Sequence, residues 1–214
     1  VAIGYQAGYT GQSQKSVAIG YEAGYNNQGD ETIAIGSGAG SNSQGIYSIA
    51  IGKEAGNTSQ HPNAIAIGIS AGLSSQQAGG VALGTNVGQY HQGINSVAIG
   101  NNSGFSSQGN NSIAIGTNAG GTSQESNSIA LGSGSGYENQ GNMAIAIGYN
   151  AGNSSQTENS IAIGTSAGES NQGIYSISIG EFAGNTSQGE QSIAIGYSSG
   201  YSSQGTNAIS MGSN

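Results

Sequence analysis

The sequence predicts an all-β protein, a parallel β-solenoid or β-roll with one sixteen-residue repeat per coil and about thirteen coils. Three observations carry this. Thirteen sixteen-residue units run from Val1 to Ala208 without insertion or deletion, and a fourteenth opens at Ile209 with ISMGSN. Each unit begins with a short β-branched apolar run, and each then places Gly and Gln at unvarying positions. A strict period this short describes stacked coils, each too small to fold alone. Residues 1–214 therefore read as one continuous repeat domain. Because Val1 is already the first residue of a repeat, the expectation is a stretch of a longer fibre.

Within a repeat such as Ile161 to Ser176, IAIGTSAGESNQGIYS, the first position is always Val or Ile. The second is Ala except for Ser178 and Ser210, and the third is Ile except for Leu83, Leu131 and Met211. This is a strand of three to four residues. Gly fills the fourth position throughout and the eighth in every complete unit, beginning with Gly4, Gly8, Gly20, Gly24, Gly36 and Gly40. Two glycines four apart imply two corners, or one corner and one close approach of backbone to backbone. The seventh position is small: Ala, Ser or Val87.

The twelfth position never varies: Gln12, Gln28, Gln44, Gln60, Gln76, Gln92, Gln108, Gln124, Gln140, Gln156, Gln172, Gln188 and Gln204. Parallel coils lie ~4.7–4.8 Å apart, so stacked amides can donate and accept along the axis as a structural ladder. A solvated turn residue would drift in identity, as the fifth and ninth positions do.

Alternation along the strand sends Ile and Val to one face and Ala to the other, so both faces are apolar. If Ala and the small seventh residue fill a narrow interior, the aliphatics lie outside and need covering by another chain, most simply in a homotrimer. The alternative places the aliphatics inside a single-chain solenoid and leaves the Ala face in water. One irregularity interrupts the pattern: HPNA from His61, followed by QAGG one coil later, where a bulge or exposed loop is expected.

Composition closes several doors. The 41 Gly and single Pro would make a poor globular core. The net charge of −8, with only Lys15 and Lys53 as cations, argues against nucleic acid. No apolar run approaches the ~20 residues of a membrane span, so no membrane insertion is expected of this segment. Without Cys there are no disulfides or thiolate sites. His61 and His91 occupy different positions of the repeat, and the carboxylates are scattered, so neither a catalytic nor a metal site is expected, nor any cofactor.

Binding has better candidates. Tyr5, Tyr9, Tyr21 and Tyr25, and later Tyr197 and Tyr201, form adjacent pairs that could contact a glycan or a protein, or could simply stack on one another. N-glycosylation sequons occur at Asn57, Asn101, Asn110, Asn153 and Asn185, and three of these, Asn57, Asn153 and Asn185, share the ninth position.

The segments SVAIGYEAG (Ser16 to Gly24), SVAIGNNSG (Ser96 to Gly104) and SIAIGTSAG (Ser160 to Gly168) resemble the head repeats of YadA-like (Hep_Hag-type) trimeric autotransporter adhesins. They are also similar to repeats of phage and giant-virus fibres. The adhesin resemblance implies a left-handed parallel β-roll wound from three chains and acting at a surface. Its period departs from the typical fourteen residues, with the extra length around the Gln.

Three non-enzymatic functions stay open. The first is a structural extracellular fibre or adhesin segment at a cell or virion surface, with a host-surface protein or glycan as its candidate partner. The second is a filament of coils stacked end to end, since an open coil end is an unpaired edge. The third, an ice-binding solenoid, needs a regular row of Thr, and here Thr58, Thr85, Thr117 and Thr165 are scattered.

Overall fold

The structure, a computed structural model, describes residues 1–213. Two compact units divide the chain, Val1–Asn110 and Asn111–Asn214. Each is a parallel β-solenoid with successive coils sixteen residues apart, and no helix occurs among the described residues. No helix is therefore long and apolar enough to cross a membrane.

In the first unit the leading strands are Ala2–Ile3, Val17–Ile19, Ile33–Ile35, Ile49–Ile51, Ile65–Ile67, Val81–Thr85 and Val97–Asn101. They pair in parallel with a register of one repeat, Ala18 on Ala34 and Ala34 on Ala50. In most coils a second strand follows and ends at the Gln, as in Asn42–Gln44 and Thr58–Gln60, while at Thr10 and Ser74 it is reduced to an isolated bridge. The second unit repeats the plan from Ile113–Ile115 to Ile209–Met211, with second strands such as Thr122–Gln124 and Glu138–Gln140. Backbone hydrogen bonds also join the coils between strands: Gly24 N–H donates to the Ala39 carbonyl at 2.9 Å, and Gly36 N–H to the Ile19 carbonyl at 2.8 Å.

The core is made of small residues. Ala18, Ala34, Ala50, Ala66, Ala82 and Ala98 from the second position meet Ala23, Ala39, Ala55, Ala71 and Val87 from the seventh, all fully buried, in one continuous cluster of the first unit. The second unit divides the same column into Ala114, Ala119 and Ala130, and then Ala146, Ala151 and Ala162, on either side of the buried Ser135. A wall missing from the sequence reading is the sixteenth position. Thr32, Ser48, Ser96, Ser160, Ser176 and Ser192 are fully buried there, each hydroxyl donating to the carbonyl three residues earlier.

The aliphatic side chains are outside. The aliphatic residues of the first and third strand positions are half-buried or exposed in both units, 40 % at Leu131 within the second unit and up to 70 % at Met211 in its last strand. The arrangement with the aliphatics inside is thus not the one adopted. The reason is width: with two strands closing a sixteen-residue coil, the interior takes methyl groups, hydroxyls and one flat amide.

Of the bulge or exposed loop expected at His61 and Pro62, the structure has an exposed turn in regular register and no bulge. His61 N–H donates to the Gln76 carbonyl at 2.9 Å and Asn63 N–H to the Ile46 carbonyl at 3.0 Å, matching Gly45 and Tyr47 one coil earlier. Pro is tolerated because its position lies outside the backbone ladder. The equivalent N–H of Gln14, Ile94 and Asn142 donates to a side chain instead, of Asp30, Asn110 and Glu125 respectively. A missing donor there costs no backbone-to-backbone bond between coils.

Candidate functional site

The invariant Gln acts first within its own coil. In all thirteen complete repeats its Nε2 donates to the carbonyl of the first strand residue, from Gln12 to Val1 through Gln204 to Ile193, at 2.7–3.1 Å. The amide thus spans the interior and ties the second strand to the first. Axial donation from one Gln to the next occurs at four steps, Gln60 to Gln76 to Gln92 and Gln124 to Gln140 to Gln156, at 3.0–3.1 Å. At Gln188 the acceptor oxygen instead takes the hydroxyl of Ser178.

The two glycine positions differ in role. At the fourth, Gly4 (φ +130°) and Gly36 (φ +126°) sit so near the next coil that an added Cβ would lie 2.5 Å from the carbonyl oxygen of Gly20 or Gly52, and Gly20 repeats the geometry at 2.7 Å. This is the close approach of backbone to backbone. At the eighth, Gly8, Gly24 and Gly40 turn through the left-handed region, φ +52° to +58°, beneath the Gln oxygen of their own coil. A side chain there would displace the amide. The sixth, eleventh and fifteenth positions also have positive φ with ordinary residues, such as Asn86, Ser107 and Asn95. The signal was present in the recurrence of Asn and Ser there, which tolerate this region better than most residues.

Outside the coils, aromatic rings follow the repeat. Tyr5 stacks on Tyr21 with centroids 5.3 Å apart, and Tyr9 on Tyr25 at 5.2 Å. Tyr197 and Tyr201 each meet Phe182 edge-on, at 6.3 Å and 6.4 Å. Phe182, absent from the sequence reading, joins that pair. The carboxylate of Glu22 beside Tyr21 holds its phenol above the usual range.

Most sequon amides are already engaged. Asn57 donates to the Gly38 carbonyl and Asn153 to the Gly134 carbonyl, both at 2.8 Å. Asn185 is buried, donating to the Ser166 carbonyl and to Glu169 at 2.9 Å each. Asn110 accepts the N–H of Ile94, while Asn101 is exposed at a strand end.

Charge is sparse. Lys15 donates to Glu31 one coil on at 2.8 Å, which raises the lysine pKa, and Lys53 lies 3.8 Å from Glu54. Among the described residues no three His, Asp or Glu side chains come together as metal ligands.

The family model for the YadA head domain repeat (2 copies) matches residues 28–55, 92–119 and 172–199. Every match starts at an invariant Gln and ends at the small seventh position, so each spans two leading strands. No curated protein sequence matches the chain. The three matched segments share one register of the sixteen-residue period, and over those residues this β-solenoid is similar to YadA head domain repeats.

Proposed function

We propose that the chain is a segment of an extracellular surface fibre of the adhesin type, non-enzymatic, which assembles as a homotrimer around its aliphatic face. The observation that carries this is the inversion of the usual core. Alanine is fully buried while Ile and Val of the same strands line the outside of the coils, and Ile67, Leu131 and Ile179 are more than a third exposed. A recurrent apolar stripe of this kind, in a chain with few charges, is stabilised by cover from further copies of itself. The YadA head repeats support the surface location and the fibre role. The outer polar positions then face the medium, where they present or space a binding surface for a host protein or glycan.

Light scattering of the purified chain at several concentrations tests this. A constant mass near three chains is the expected result. A constant single-chain mass overturns the trimer, and a mass rising steadily with concentration favours an end-to-end filament instead.

A further inference from the structure

The second unit holds a cleft of about 420 Å³ that the sequence reading did not find. It opens on the polar side of the coils, where the fifth, sixth and ninth positions of successive repeats meet. Tyr137 and Tyr149 form its aromatic walls, and the side chains of Asn118, Asn150 and Ser133 its polar ones.

Two local substitutions make the cleft. Gly121 stands at the ninth position, and a Cβ there would lie 2.5 Å from the ring carbons Cδ2 and Cε2 of Tyr137, so the Tyr137 ring rests directly on the Gly121 backbone. Gly134 stands at the sixth position with φ +69°, and Asn150 Oδ1 occupies the place its Cβ would take. Asn153 is fixed by donating to the Gly134 carbonyl at 2.8 Å, which holds the floor in place. Absent side chains at Gly121 and Gly134 let one ring lie down and one amide move in, and the space in front stays open.

We propose that this cleft binds a neutral saccharide. The volume is within the ~300–1,000 Å³ of ordinary ligand sites and suits one or two sugar rings. Tyr149 is 58 % exposed and has no ring partner among the described residues, whereas Tyr5 and Tyr21, or Tyr9 and Tyr25, cover each other's faces. A free phenol ring takes the C–H face of a sugar, and its hydroxyl stays in water. The side chains of Asn118, Asn150 and Ser133 make no hydrogen bond to other described residues, so their donors and acceptors can serve sugar hydroxyls. No charged residue lines the cleft. A phosphate, a sialic acid or a metal ion would find no counter-charge there, and burying one unpaired is costly.

The proposal extends the surface-fibre reading by a ligand class, but it reads out in a single chain, so its failure and the failure of trimeric assembly are separate results. The test begins with the wild-type chain on an array of immobilised neutral and sialylated oligosaccharides, followed by calorimetric titration with the neutral oligosaccharides retained. Tyr149→Ala and Asn118→Ala are each expected to weaken binding about tenfold, from loss of ring contact or of a hydrogen bond. Tyr47→Ala, at an exposed ring of the first unit outside the cleft, should leave it unchanged. Ring resonances of Tyr137 and Tyr149 in the wild-type protein should shift on titration, a readout that holds even if a variant folds poorly. Retention of no neutral glycan, retention of sialylated ones alone, binding undiminished by Tyr149→Ala in a folded variant, or unmoved ring resonances would each overturn the proposal.

Discussion

The two units run the same backbone on different interiors. In Val1–Asn110 the column is apolar without a break from Ala18 to Ala98, with Val87 its largest member, and a single buried serine, Ser103, follows. In Asn111–Asn214 buried serines interrupt it at Ser135, Ser178 and Ser199. There the polar groups satisfy one another: Ser135 donates to the Gly132 carbonyl at 2.9 Å, Ser199 to Ser210 at 2.8 Å, and Ser178 to Gln188. The difference teaches that this interior selects for size before polarity. A hydroxyl is admitted where the Gln amide or a carbonyl can receive it, because a buried donor left alone costs more than the methyl it replaces.

Substitutions made in parallel in the two units can break or sharpen that comparison. The largest effect is expected at the close backbone approach, which both interiors share. Gly36→Ala and Gly148→Ala each put a Cβ 2.5 Å from the next coil's glycine carbonyl at φ +126° and +132°. Each should lose about 3 kcal/mol or more, from backbone strain and separated coils. Chemical denaturation measures both, and a loss below about 1 kcal/mol in either would show that the coil can open there without penalty.

Next in size is the amide. Gln44 donates only within its coil, to the Ile33 carbonyl at 2.9 Å and the Ser48 carbonyl at 3.4 Å. Gln140 makes the same pair of bonds and also donates to Gln156 and accepts from Gln124. Leu in place of Gln44 should cost about 2 kcal/mol, and in place of Gln140 about 1 kcal/mol more. Equal losses would mean that axial donation adds nothing to the bond across the coil.

The serines themselves give a smaller and opposite pair of effects. Ser178→Ala restores the alanine column and should change stability by less than about 1 kcal/mol, since the lost hydrogen bond is offset by a better-packed methyl. Ala34→Ser places a hydroxyl in the uninterrupted stretch of the alanine column and should cost about 1–2 kcal/mol unless the chain shifts to supply an acceptor. A thermal melt of each variant decides the sign.

The smallest effect on the isolated chain is expected outside. Leu131→Ser and Ile147→Ser remove half-exposed side chains and should alter single-chain stability by no more than about 1 kcal/mol. The same variants should abolish association in light scattering. If instead they unfold the chain while its mass is already that of one copy, the aliphatic face stabilises the coil by itself.

Much of this molecule was legible in one dimension. The sixteen-residue period, the leading strand, the small second and seventh positions and the parallel class all follow from identities that never drift, because stacking copies every local requirement sixteen residues on. Val17, Ala18 and Ile19 already contain the two-faced strand. Which face points inward was not legible, since both are apolar, and only closing the coil showed that its interior admits alanine and excludes isoleucine. The Gln at the twelfth position announced itself, but its main partner, a strand carbonyl eleven residues back, comes from the width of the coil. Likewise the buried serines of the sixteenth position look like surface residues in sequence, and become interior ones because the last turn folds their hydroxyls back onto the backbone. The cleft between Tyr137 and Tyr149 lies further still from the sequence: two ordinary glycines, Gly121 and Gly134, leave room that exists only once neighbouring coils are stacked. Sequence alone determined the repeat and its strands, because those depend on local identity and period; the tertiary structure decided inside from outside, because that depends on how much volume a closed coil encloses.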